Sequence, residues 1–436
     1  MDREVLIMNK PITVAIVGLG NRGMYAYGSR ILERPDEIKV VAAADVDRER
    51  LELMANDHGI APENCFNSAD ELIAQPKLAD LLFICTQDKD HYKQAINALK
   101  KGYHLILEKP ISPSLKECKE IAETAKKYDR QVLVCHVLRY TPFYSKLKEI
   151  IDSNVIGDLV TVNAEECVGY WHQAHSFVRG NWRNTAESAP MILAKSCHDM
   201  DIIAWLLGRK CLKLSSFGSL KHFKSEEAPE GAANYCFDCP ADVRAKCPYD
   251  CEKFYLDGPR GIKVGEEHWP QKVVSVKPNV ENVTEALKKG PFGRCVYHCD
   301  NDVVDNQIIN MLFEDDITVN FTMSAFSNEF KRTIRIRGVF GEIIGDMKAH
   351  TITVAEFGKE PIVYDTETIE SQKGGHGGGD SGLIESVVDF FLYNKTSKAV
   401  TYIDKSIESH FIALAADYSR LKGGELIDMN EWNNKF

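Results

Sequence analysis

TVAIV at 13–17 runs straight into GLGNRG at 18–23, and that junction decides the fold of the first third of the chain. The first five residues are small or apolar, with the length and composition of a strand buried on both faces. The next six are a complete G-x-G-x-x-G. Gly18 allows a tight turn, and Gly20 lets the backbone approach a pyrophosphate. Gly23 lets a helix pack close to the strand, with its N-terminal N–H groups turned toward phosphate charge. A second apolar run, KVVAAA at 39–44, ends at Asp45. That carboxylate sits about 20 residues past the last glycine, where an acid binds a ribose 2′-OH and repels a 2′-phosphate. The order strand, glycines, helix, strand, acid predicts a dinucleotide site that prefers NAD to NADP. Arg48, close by in sequence, weakens that preference.

The alternation continues with LLFIC at 81–85, Thr86, a predicted helix over 91–100 ended by Gly102, and a strand at 104–107 leading into Glu108-Lys109-Pro110. One more strand follows at 132–135. Strands alternating with helices predict an α/β, doubly wound parallel sheet of the Rossmann kind. Ligands bind such sheets outside the carboxyl ends of the strands, where Gly20, Asp45, Thr86 and Glu108-Lys109-Pro110 all fall.

At 436 residues the chain is long enough for two or three domains, and 44% apolar with 27% charged residues describes a globular protein. The 64 acidic residues outnumber 53 Lys and Arg, for a formal charge of -11, which argues against a nucleic-acid or anionic-membrane binder. No apolar run approaches the roughly 20 residues of a membrane helix. The opening MDREVLIMNK shows no signal peptide. Thirteen cysteines, an odd number spread through predicted core strands, suit a reducing compartment, and the expected location is cytoplasmic.

With GLGNRG at 18–23, the strand end at Asp45, CTQDKDH at 85–91, LEKP at 107–110, HVLRYTPFY at 136–144 and KSCHDMDIIAWLLG at 195–208, the sequence resembles the Gfo/Idh/MocA (glucose–fructose oxidoreductase, inositol dehydrogenase) family. The resemblance covers most of the chain, and the EKP turn is its most specific element. It implies an NAD-binding Rossmann domain at 1–138. A substrate and oligomerisation domain at 139–436 follows, of α+β type with a large, mostly antiparallel open sheet. Alternating runs at 159–168, 317–323, 333–339, 342–347 and 351–357 fit strands of that sheet. The sheet commonly joins family members into homodimers or homotetramers. The usual activity is NAD(P)-dependent oxidation or reduction of a sugar, cyclitol or related polyol. The cofactor residues are then Gly18, Gly20, Asn21, Arg22, Gly23, Asp45, Thr86, His91, Glu108 and Lys109.

The resemblance makes Lys109 the cation that binds the reacting hydroxyl beside the nicotinamide, and His198 the general base. A cation there stabilises developing alkoxide charge, and an imidazole titrates near neutral pH. One position departs from the pattern. Many family members carry Asp four residues before the histidine, where this chain has Ala194 followed by Lys195. Lys195 is then a substrate hydrogen-bond donor or a like charge that lowers the histidine pKa. GGHGGGD at 374–380 sets His376 among five glycines before a predicted helix at 381–391, with Asp380 as its expected N-cap. This loop resembles that of NAD-dependent, redox-neutral glycosidases in the same superfamily, which gives His376 a substrate role; the plainer reading is a glycine linker. Tyr170-Trp171-His172 with His175, and Asn181-Trp182-Arg183, are candidates for a sugar pocket, or for core.

Between about 221 and 299 the periodic pattern lapses into prolines, glycines and charges, and Cys236, Cys239, Cys247 and Cys251 fall within it. Thiolates at such spacings can assemble a tetrahedral, structural zinc site. Free or disulfide-bonded thiols and an iron–sulfur cluster are the alternatives. Family members carry a related CxxCP…CPY segment and an RCVY cysteine, so the resemblance allows Cys295 to replace Cys251. The leading functional reading is hydride transfer between NAD and a small carbohydrate or polyol. The redox-neutral glycosidase is the alternative, and a non-catalytic NAD-binding sensor a third.

Overall fold

A computed structural model describes residues 10–372 and 375–436. The opening segment, where no signal peptide was expected, and Gly374 of the glycine run lie outside them. The chain divides into two units, Met1–Ser145 with Thr368–Ile407, and Lys146–Glu367 with Glu408–Phe436.

The first unit is built on six parallel strands: β1 (Ile12–Val17), β2 (Ile38–Ala44), β3 (Cys65–Phe66), β4 (Leu81–Ile84), β5 (His104–Leu107) and β6 (Val132–Val134). Their order is β3-β2-β1-β4-β5-β6, so the strand sequence reverses direction beside β1 and a crevice opens there at the carboxyl ends. The strands read as largely apolar runs because both faces are covered, with Lys39 of β2 the exposed exception. One face buries Val14, Ile16, Leu81, Phe83 and Ile106, and the other Ala15, Val17, Leu82, Ile84 and Leu105.

A second domain running unbroken from 139 was expected, but 368–407 returns to the first unit. The reason is apolar. The helix Gly379–Phe391 turns Leu383, Ile384, Val387 and Val388 into the same core as Val14, Ile16 and Phe83. Thr401 adds a polar tie, its hydroxyl donating to the Val134 carbonyl at 2.5 Å.

The second unit holds nine strands: β7 (Leu159–Cys167), β8 (Cys211–Ser219), β9 (Asn306–Phe313), β10 (Thr318–Ser324), β11 (Lys331–Gly338), β12 (Gly341–Asp346), β13 (Thr351–Glu356), β14 (Ile362–Asp365) and β15 (Ile427–Asp428). They lie in the order β14-β13-β12-β11-β7-β10-β9-β8-β15, antiparallel except for β7 beside β10. Alternation sorts the faces: Ile309, Met311, Val319, Phe321, Ile334, Ile336 and Ile343 are buried. The cysteine-rich insert joins β8 to β9 and adds no strand to the sheet, only turns and short helices such as Ala241–Lys246 and Val280–Lys289. None of the thirteen cysteines is in a disulfide. Among the described residues, no helix is long and apolar enough to cross a membrane.

Candidate nucleotide site and buried ionic clusters

The glycine loop has the geometry its sequence predicts. Gly18 has φ +86°, and a Cβ there would lie 2.5 Å from the Cys85 carbonyl oxygen, so only glycine fits between the ends of β1 and β4. A Cβ at Gly23 would lie 2.1 Å from the Gly18 oxygen. Gly20 is the contrast: the nearest heavy atom to a Cβ is 3.8 Å away, leaving an open approach to the backbone. The helical turn Asn21–Gly28 that follows has no side-chain cap and no acid in its first turn, so its N–H groups suit an anion. Asp45 is half-buried at the end of β2. Its carboxylate accepts the Leu19 N–H at 2.5 Å and the Asp47 N–H at 2.7 Å, which fixes it beside the loop. These residues fit a dinucleotide with an unphosphorylated ribose.

Several other expected cofactor residues are engaged by groups of the protein itself. The Arg22 guanidinium turns inward. Its Nε donates to Glu108 at 2.7 Å, while Nη1 and Nη2 grip Asp380 at 3.1 and 2.8 Å. Tyr27 donates to the same Glu108 oxygen at 2.5 Å. His91 is fully buried, its ring nitrogens 2.8 Å from the Pro110 carbonyl and 3.1 Å from that of Thr86. It therefore ties the turn after β4 to the turn after β5. The Thr86 hydroxyl donates to Gln94 at 2.7 Å, and Glu108 accepts the Lys109 backbone N–H at 2.9 Å.

Asp380 does not cap its helix, which begins at Gly379 with no side-chain cap. Burial alone would raise its carboxyl, but Arg22 and His376 outweigh that and hold it well below the usual carboxylate range. Glu108 is likewise lowered, with Arg22 and Lys109 overcoming its burial. His376 is a quarter exposed, its Nδ1 3.3 Å from Asp380. The histidine loop is thus anchored to the glycine loop through the half-buried Arg22.

In the second unit, the residues around Lys195 form another buried ionic cluster. Register places Glu166 on β7 opposite Arg332 on β11, and the two side chains pair. The Lys195 ammonium lies 3.4 Å from the other Glu166 oxygen and 4.6 Å above the Phe330 ring. Asp199, in the first turn of the helix Cys197–Leu207, accepts from Arg332 at 2.7 Å. His198 belongs to the same turn and is buried. Burial pushes the Glu166 carboxyl up, with Arg332 and Lys195 pulling against it. Ala194 leaves one carboxylate out, yet Glu166 and Asp199 supply two to this cluster. Neither was predicted, since an isolated acid in a strand or a helix turn carries no motif.

Phe330 also faces His172 at 5.5 Å, and His172 lies 5.5 Å from Trp171 and 5.0 Å from Trp269, forming an aromatic wall beside Lys195. Of the predicted sugar-pocket residues, Trp171 and His172 belong to this wall, and the others make contacts of their own. Tyr170 packs toward Tyr249 of the insert, Trp182 lies beside Phe177, and Arg183 is held by both oxygens of Asp300 at 2.8 and 2.9 Å.

Comparisons with known proteins agree with this architecture. Residues 12–136 match the family model described as "Oxidoreductase family, NAD-binding Rossmann fold", and 148–404 match "Oxidoreductase family, C-terminal alpha/beta domain". YteT of Bacillus subtilis, named as an oxidoreductase, is 24% identical over 87% of this chain and 88% of its own length. The scyllo-inositol 2-dehydrogenase (NAD(+)) of the same organism is 27% identical over 49% of this chain and 59% of that protein. In fold, the chain is similar to an inositol dehydrogenase homolog from Azotobacter vinelandii solved with NAD+, with a TM-score of 0.68 at 14% identity, over 98% of this chain and all of that one. With a glycine cradle shaped for a pyrophosphate, a Rossmann strand order and two domain models spanning most of its length, the chain belongs to the Gfo/Idh/MocA family of NAD-binding oxidoreductases.

Proposed function

We propose that the protein interconverts a hydroxyl of a sugar, cyclitol or related polyol and the corresponding carbonyl, with NAD+ accepting the hydride in oxidation and NADH donating it in reduction. The observation that carries the reading is the pairing of an open Gly20 backbone with a fixed Asp45 carboxylate, a combination suited to NAD. Lys109 holds the reacting hydroxyl oxygen and stabilises the negative charge that grows as its proton leaves. His198 takes that proton. Bound nicotinamide supplies the hydride acceptor in oxidation. The Lys195 ammonium, fixed by Glu166 and Phe330, positions another substrate hydroxyl, and the aromatic wall of Trp171, His172 and Phe330 offers the apolar face that a sugar ring needs. The cofactor set is NAD with a structural zinc in the insert, and the location is cytoplasmic.

The test is a panel of free polyols and aryl glycosides, each with NAD, with NADP and without nucleotide. NADH formation from at least one polyol, with NADP at least tenfold poorer in kcat/KM, is the expected outcome. Aglycone release from an aryl glycoside without net NADH would transfer the site to redox-neutral hydrolysis. NAD binding with no turnover of any substrate would leave a sensor.

Assembly through the nine-stranded sheet is part of the same proposal. By register, Phe217, Ile308, Asn310, Asn320, Asn163, Arg335 and Ile344 share one face, on which Phe217 is 51% and Ile308 40% exposed. Exposed apolar groups among polar neighbours suit a subunit contact. Light scattering should give the mass of a dimer or tetramer; a monomer at micromolar concentration overturns this part alone.

A further inference from the structure

The insert between β8 and β9 reaches the aromatic wall beside Lys195. Trp269 lies 5.0 Å from His172 and 5.4 Å from Trp171, and Phe254 stacks on Trp171 at 5.6 Å. A cation arrives with these rings. The Arg260 guanidinium carbon lies 4.1 Å over the Trp171 ring, and Arg260 is exposed.

The segment that carries Arg260 is fixed by its own packing. Tyr255, Leu256 and Ile262, on either side of it, are buried in one cluster with Cys236 and Cys251. Of the predicted metal ligands, these two bring their sulfurs and an Asp250 oxygen within 4.8 Å of one another, and Cys239 and Cys247 line a small cavity with Cys236. The fully buried Gln271 donates to the Arg260 carbonyl at 2.6 Å and to that of Tyr255 at 3.2 Å. The Tyr255 hydroxyl lies 2.6 Å from His175 Nδ1, which ties the segment to the helical stretch that follows Trp171. Backbone bonds and apolar burial, not an anion, therefore set where Arg260 stands.

The other charges nearby have their partners in hand. Glu166 engages Lys195 and Arg332, and Asp199 engages Arg332. In the insert, Asp257 pairs with Lys263, while Asp250 and Glu252 pair with Arg244. Among the described residues, no carboxylate forms an ion pair with Arg260. A guanidinium laid on an indole face is attracted by the ring, and its planar fork is held ready for a partner at its edge. A carboxylate matches that fork with two parallel hydrogen bonds. A phosphate dianion would leave surplus negative charge beside a single arginine, because Lys195 is already engaged by Glu166.

We infer that Arg260 binds a carboxylate of the substrate, and that the sugar turned over is therefore acidic, a uronate or a glycoside of one. This class rests on the polyol reading above and narrows it. His172, Trp269 and Phe330 are each partly exposed and offer ring faces to the sugar, while the carboxylate reaches the arginine. The insert then selects the substrate, a task separate from hydride transfer.

Calorimetric titration of the NADH-loaded protein with methyl glycosides tests this without turnover, since NADH cannot accept a hydride and the glycosides carry no free carbonyl to reduce. Methyl glycosides of glucuronate, galacturonate and mannuronate are compared with those of the neutral sugars and of their 6-phosphates. At least one uronate should bind about tenfold or more tighter than its neutral counterpart, the worth of one hydrogen bond to a charged group. Arg260→Ala should cut that ratio by a similar factor, and Arg260→Lys should restore part of it. An arginine that merely caps Trp171 would, when removed, weaken acidic and neutral sugars alike; an unchanged ratio overturns the inference. Uronates that bind no better than neutral sugars overturn it too, as does a sugar phosphate that binds tighter than its uronate. Hydride transfer is read separately. NADH formation from neutral polyols alone removes the acidic substrate and leaves the oxidoreductase, whereas Arg260-dependent uronate binding with no NADH formed from any sugar does the reverse.

Discussion

Replacing Lys109 with alanine is expected to lower kcat for polyol oxidation by about 10²–10³-fold, the usual loss when one donor to a developing oxyanion is removed. The charge that grows on the hydroxyl oxygen is small in the bound substrate and large in the transition state, so the loss falls mainly on kcat. The local structure isolates the effect. Glu108, which accepts the Lys109 backbone N–H, keeps its bonds to Arg22 and Tyr27 when the ammonium is gone. The EKP turn therefore stays in place, and NAD affinity should change by less than about tenfold. Stopped-flow NADH formation and a fluorescence titration with NAD separate the two quantities. A variant turning over within threefold of wild type would remove Lys109 from the chemistry.

Arg332→Leu is expected to destabilise the second unit by about 3–5 kcal/mol, because it strips a buried carboxylate of its partner. Glu166 is wholly buried, and Arg332 joins it to Asp199 in one cluster. Lys195 remains at 3.4 Å but cannot serve two carboxylates as a planar guanidinium does. For a unit of this size the loss corresponds to a fall of roughly 6–20 °C in Tm. Adding Glu166→Gln to the same background should recover part of it, since the uncompensated charge is then gone. Thermal unfolding of the single and double variants checks this; a single variant within about 2 °C of wild type contradicts it.

The two units differ in how far their residues announced them. In the first, β1, β2, β4 and β5 are covered on both faces, so burial demands apolar residues at all but a few positions, such as the exposed Lys39, and the strands read directly from sequence. β8 and β9 in the second unit were missed because they break the pattern. Ser216 and Gln307 are buried and bonded to each other at 2.9 Å, while Phe217 and Ile308 face outward. A hydrogen bond between two strands far apart in sequence makes polar burial affordable, and no local window contains both partners.

The candidate site divides along the same line. Glycine positions are legible because a Cβ at 18 or 23 would collide with backbone only a few residues away or at the end of the neighbouring strand. The inward turn of Arg22 was not legible, because its partner Asp380 lies 358 positions further on. The same holds for Glu166 with Arg332. The sequence alone determined the strand–helix order of the Rossmann sheet, its glycine cradle and the acid at the end of β2, since local backbone sterics and two-sided burial dictate them. Only the tertiary structure decided which charges neutralise one another and which rings meet beside Lys195. Those outcomes depend on strand register and chain return, which join residues from tens to hundreds of positions apart and leave no trace in composition or spacing.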